Sequence, residues 1–143
     1  MTVVIDIRVG SRRDDVVSTV PATEAAVRAL VLACSPGALQ RRFFLSGPMA
    51  PQIVWERCRK YLIAGPPDGA ALVATSGDVP VGLLNLVVVG TGLVDMSLLV
   101  VDSWQHRRVA TQLLVGELGR PRWAGWTVTA TVQPDNAPVR ALL

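Results

Sequence analysis

The stretch Leu98–Leu114, LLVVDSWQHRRVATQLL, constrains the fold more than any other part of the chain. It opens on an unbroken apolar run, Leu98–Val101, which reads as a buried strand. It turns through Asp102-Ser103-Trp104 and passes a row of donors, Gln105-His106-Arg107-Arg108. It closes as a helix in which Val109, Leu113 and Leu114 fall at helical spacing. The unpaired N–H groups of that helix's first turn, with the positive end of its dipole, make an anion site.

The flanking elements follow from periodicity and punctuation. Thr2–Val9 alternates as a strand, Gly10–Asp15 is a polar turn, and Val16–Val20 is a short strand ending at Pro21. Thr23 is placed to cap a helix whose stripe is Ala26, Val27, Leu30, Val31 and Cys34. Ser35-Pro36-Gly37 breaks that helix and caps a shorter one carrying Leu39, Phe43 and Phe44. Pro51 starts a third helix, which reaches the stop at Gly65-Pro66-Pro67. Ala70–Thr75, Val81–Val89 and Leu93–Val101 then read as three strands, the last two joined by Gly90-Thr91-Gly92 as antiparallel neighbours. A helix over Arg108–Leu118 separates them from the alternating strand Trp126–Val132, and a last helix follows Pro134-Asp135-Asn136. The order is α+β, and the helical crossover makes the third of those strands and Trp126–Val132 parallel.

Composition excludes several classes of function. With 143 residues the chain is expected to form one domain over 1–143, with 1–15 as an N-terminal strand and turn at its margin. The formal charge is only +3 and no basic stripe carries interleaved aromatics, which argues against a nucleic-acid partner. Thirteen of the fourteen basic residues are Arg, a bias that reads most simply as codon usage. Cys34 and Cys58 have neither a CxxC partner nor metal-ligand spacing, so free thiols in a reducing compartment are expected and no metal. The stretch 1–15 lacks the charged start, apolar core and small-residue cleavage site of a signal peptide, and no apolar run approaches the ~18 residues of a membrane helix. The chain reads as cytoplasmic.

The stretch Gln105-His106-Arg107-Arg108-Val109-Ala110, directly after the Leu98–Val101 run, resembles the pyrophosphate motif of the GNAT N-acetyltransferase superfamily. Val128–Val132 followed by Pro134-Asp135-Asn136 resembles that family's strand and Asn-bearing turn. Ser35–Phe44 looks like the acceptor-side helix of a subset similar to protein-lysine acetyltransferases. The resemblance spans Val16 to Leu143 and implies a mixed sheet flanked by helices. It also implies acetyl-CoA as cosubstrate and transfer of its acetyl group to an amine, on a small molecule or a protein. By the same resemblance, the main chain of Leu98 and Val100 would hold the pantetheine arm. Gln105, His106, Arg107, Arg108, Val109, Ala110 and Thr111 would hold the pyrophosphate, and Asn136 the coenzyme arm. Asp95 would take the place of the family's general base.

Two positions depart from the pattern. Arg108 stands where the family has the first Gly, whose bare backbone lets the pyrophosphate approach. The chain also ends at Leu143, before the family's Tyr acid and its two C-terminal strands. That ending predicts an open edge on the Trp126–Val132 strand, to be covered by a homodimer or another partner. It also leaves the thiolate to be protonated by water or by a group outside the sequence.

Several residues keep a plain structural reading beside the functional one. Asp95 fits either a base or a solvent-facing strand position. His106 offers its backbone N–H or faces solvent, and Asn136 equally suits a helix N-cap. Arg41 and Arg42, beside Phe43 and Phe44, suit the lining of an acceptor cleft but read more simply as a solvated helix face over a core pair, and the four Trp residues read as core or rim packing. The alternative to an enzyme is a degenerate module that binds acyl-CoA or a protein partner without turnover.

Overall fold

Two-residue alternation along the strands divides one sheet into two faces, and each face has its own helical cover. The computed structural model describes residues 2–5, 17–43, 45–63, 65, 69–105 and 107–131. The strands are β1 (Thr2–Ile5), β2 (Ser18–Pro21), β3 (Gly69–Ser76), β4 (Val79–Gly90), β5 (Leu93–Val100) and β6 (Thr127–Thr131). The helices are α1 (Glu24–Ala33), α2 (Pro36–Phe43), α3 (Pro51–Leu62) and α4 (Val109–Leu118). Sheet order is β1-β6-β5-β4-β3-β2. Every pairing is antiparallel except β5–β6, which is parallel because α4 carries the chain back across the sheet.

On one face Leu84 and Leu86 of β4 and Val94, Met96 and Leu98 of β5 pack with Val109, Leu113 and Leu114 of α4. On the other, Val73, Leu83 and Leu99 pack with Val27, Leu30 and Val31 of α1, Leu39 of α2, and Val54, Trp55 and Leu62 of α3. Each fully buried aliphatic side chain contributes ~1.5–3 kcal/mol, so two such layers hold the sheet between the helices.

Local chemistry sets the element ends. Thr23 Oγ1 accepts the Ala26 N–H at 3.2 Å and caps α1. Ser35 Oγ accepts the Ala38 N–H at 3.1 Å and caps α2, with Pro36 following as the first helical residue. Gly92 takes φ +67 in the β4–β5 turn, a conformation that glycine adopts without penalty. Gly82 lets α4 lie close on β4: a Cβ there would stand 2.7 Å from Val109 Cγ1 and 3.3 Å from Leu113 Cδ1.

The structure corrects the expected open edge. β1 lies antiparallel on the outer side of β6, from Thr2↔Thr131 to Ile5↔Val128, so no homodimer or other partner is needed to cover it. The row of unpaired N–H and C=O groups on β6 is met by the alternating N-terminal strand of the same chain. Among the described residues the sheet therefore ends in two four-residue strands, β1 and β2, and β2 carries Pro21, which has no N–H to offer a further strand. The expected strand at 2–9 is seen over Thr2–Ile5, and its remainder and the last helix lie outside the described residues. Among the described residues no helix is long and apolar enough to cross a membrane.

Candidate functional site

The site begins where two strands part. β5 and β6 pair from Leu93↔Thr127 to Met96↔Ala130, and β5 then runs on through Ser97–Val100 with no partner on that side among the described residues. The Val101 N–H donates to Val81 O at 3.0 Å, so the odd-numbered peptide groups of β5 address β4 and the even-numbered ones address β6. Leu98 and Val100 therefore turn their N–H and C=O into the gap. Gln105 Nε2 donates to Val100 O at 3.2 Å, which leaves the Leu98 peptide groups facing the gap.

The turn below the gap gathers backbone and side-chain donors. A short 3-10 turn over Asp102–Trp104 leads to Arg107, whose guanidinium carbon lies 4.9 Å from the Trp104 ring centroid. Arg108 then takes φ 62 and ψ 20, the one left-handed backbone outside glycine among the described residues, and its side chain is exposed. The first intrahelical bond of α4 runs from the Gln112 N–H to Arg108 O at 2.9 Å. The N–H groups of Val109, Ala110 and Thr111 precede it, and no side chain of Arg108 caps them. They are donors at the positive end of a helix, beside the unpaired stretch of β5.

A polar row crosses the opposite face of the sheet, under α2. Asp95 is half-buried and accepts a hydrogen bond from Thr129 Oγ1 at 3.0 Å across the last part of the β5–β6 pairing. Asn85 is buried in β4, with Nδ2 on Leu62 O at 3.0 Å and Oδ1 accepting from Arg42 Nη2 at 3.3 Å. Arg42 stacks on Phe43, its guanidinium carbon 4.6 Å from the ring centroid, while its buried Nε has no hydrogen-bond partner. Burial pulls the Arg42 guanidinium down to about 10, against the opposing pull of Cys58 and Asp95. Burial likewise raises the Cys58 thiol, with Arg42 and Arg57 acting the other way. Cys34 is pushed up to about 12 by burial and by the Asp102 charge, so neither thiol is an activated nucleophile.

These pieces form one arrangement: a mixed sheet opening between a parallel pair, a bare helix N-terminus at the opening, and an acid on the far face. No protein-family model and no curated protein sequence matches the chain. Solved structures do. The GNAT domain of S. lividans PAT superposes with a TM-score of 0.72 at 21% identity, covering 88% of this chain and 77% of that one. An N-acetyltransferase from Staphylococcus aureus Mu50 gives 0.62 at 15% identity, covering 90% and 80%. Mycobacterium smegmatis RimJ, solved with CoA-disulfide, gives 0.61 at 22% identity, covering 89% and 67%. The chain has the GNAT fold.

Within the GNAT fold the sequence-predicted residues fall into three groups. Leu98, Val100, Gln105, Arg107, Arg108, Val109, Ala110 and Thr111 gather at the gap and the α4 N-terminus. Asp95 stands apart from them, two residues upstream of the gap and on the face of the sheet opposite α4. His106 and Asn136 lie outside the described residues. Arg42 departs from the expected solvated helix face, because it is drawn under α2 to Asn85. Asn85 was not singled out by the sequence reading, although it is the one polar side chain in the run Val81–Val89. Asp102 was read only as part of the turn, yet it accepts both the Ser35 backbone N–H at 3.0 Å and the Ser35 hydroxyl at 2.7 Å.

Proposed function

We propose that the chain is an N-acetyltransferase that uses acetyl-CoA and an amine acceptor. The observation that carries this reading is the parting of β5 from β6 after Met96↔Ala130, beside the uncapped start of α4. An extended arm bearing amides fits the unpaired Leu98 peptide groups as a strand would. A pyrophosphate fits the N–H groups of Val109, Ala110 and Thr111, and Arg107 and Arg108 add positive charge at the same end. The left-handed backbone at Arg108 supports the fit, because it keeps the loop in the conformation a glycine would supply.

Acetyl-CoA supplies an acyl group activated as a thioester. The chain's part is to align that group with an amine and to take up a proton. Asp95, held by Thr129, accepts the proton from the attacking nitrogen as a C–N bond forms and the C–S bond breaks, and the expelled coenzyme thiolate takes its proton from water. A thiol-release assay with acetyl-CoA and a panel of amines tests the reading. Amine-dependent release of the coenzyme thiol is expected. Binding of acetyl-CoA without release for any amine would instead mark a module that binds without turnover.

A further inference from the structure

The face that carries Asp95 also carries a half-buried cation that has no ion-pair partner among the described residues. Arg42 makes no ion pair among the described residues, and its one hydrogen bond goes to the neutral Asn85 Oδ1. Its Nε is closed to solvent and unpartnered. A guanidinium held in this way is costly unless an anion completes it, since a buried charge needs both a counter-charge and filled donors. Asp95 lies near enough for its charge to be felt at Arg42, but it does not reach an ion pair, and its carboxylate is instead engaged by Thr129. Asn85 fixes the guanidinium from below, because its amide is itself anchored on Leu62 O at 3.0 Å. In the strand register Asn85, which holds Arg42, stands opposite Ser97, where β5 enters the gap, so the contact lies one strand away from the opening.

A cation and an anion held apart on one face match a molecule carrying both charges in the opposite order. We infer that the acceptor is a small amine that also bears a carboxylate, as a free amino acid does, with Arg42 binding the carboxylate and Asp95 the ammonium. The assignment rests on the acetyl-transfer reading given above. The fork of an Arg suits a carboxylate, and the planar guanidinium stacked on Phe43 is already fixed in orientation. Polyamines and aminoglycosides fit poorly, because each would set a second positive charge against Arg42.

The test is a comparison of kcat/KM for free amino acids against their matched carboxamides, with spermidine alongside, in the presence of saturating acetyl-CoA. The wild type is expected to favour the carboxylate by about ten- to a hundredfold, the range of a charge-assisted contact. Arg42→Gln should bring that ratio close to one, and Arg42→Lys should retain part of it. Because the ratio is internal to each variant, a general loss of activity does not imitate the effect. If Arg42→Gln does not fold, the wild-type ratio and the Arg42→Lys ratio decide. Equal or better use of carboxamides or spermidine by the wild type overturns the acceptor assignment and leaves acetyl transfer standing. A preference that survives in Arg42→Gln also overturns it. Release of no coenzyme thiol with any amine overturns both.

Discussion

Ser35 gives its backbone N–H and its hydroxyl to the carboxylate of Asp102, at 3.0 and 2.7 Å, across 67 positions of sequence. The same hydroxyl accepts the Ala38 N–H, so the cap of α2 and the turn leaving β5 share one junction. α2 carries Arg42 towards the acid on one face, and the turn leads to the start of α4 on the other. The contact therefore holds the two halves of the site in register.

Acid should loosen this junction. Burial alone would raise the Asp102 carboxyl, but the hydrogen bonds from Ser35, joined by a backbone hydrogen bond of its own and the Arg41 charge, hold the group below its usual 3.8. A depressed folded value means that the stabilisation is present above the unfolded value and is lost as pH falls through the folded one. Melting temperatures of the wild type and Asp102→Asn, followed by circular dichroism, should differ most near neutral pH. The gap should narrow once the pH drops below about 4. A gap that stays constant into acid would remove the charge from the explanation.

Arg108 tests the cost of the left-handed turn. Arg108→Gly and Arg108→Ala both delete the guanidinium, but only the alanine keeps a Cβ at φ 62. The glycine variant should be more stable than the alanine variant by about 1 kcal/mol in urea unfolding. Equal stability would mean that the loop relaxes out of that conformation when the side chain changes.

Gly82 sets how closely α4 lies on the sheet. In Gly82→Ala the new methyl would meet Val109 Cγ1 at 2.7 Å, which should cost about 1–3 kcal/mol and shift the first turn of α4. Pairing it with Val109→Ala removes the clashing methyl groups and should recover part of that stability. Additive losses in the double-mutant cycle would show that the two positions do not press on each other.

Asp95→Asn keeps the side-chain shape and an acceptor for Thr129 but removes the proposed base. Turnover should fall by about a hundredfold or more, with acetyl-CoA affinity nearly unchanged, because Asp95 stands on the face away from α4. A matching loss of affinity would place Asp95 in coenzyme binding or in the fold.

Most of the local structure was legible in the sequence, because it is written at short range. The strand–turn–helix over Leu98–Leu114, the caps at Thr23 and Ser35, and the parallel β5–β6 pair all follow from spacing, capping chemistry and crossover length. The pairing of β1 with β6 was not legible, since nothing near either strand specifies a partner more than a hundred residues away. The contact of Arg42 with Asn85 was not legible for a related reason. Two adjacent Arg residues on a short helix resemble a wet surface until the fold brings Asn85 beneath one of them. The signal that pointed to it was Asn85, alone in an apolar strand and so in need of buried partners.

In the proposed function the gap between β5 and β6, over the start of α4, holds acetyl-CoA. Calorimetric titration of acetyl-CoA into the protein tests it most directly. Saturable binding at one site per chain is expected, weakening as salt rises because phosphates meet Arg107, Arg108 and the helix N-terminus. No binding heat at millimolar acetyl-CoA, at several temperatures, would contradict it.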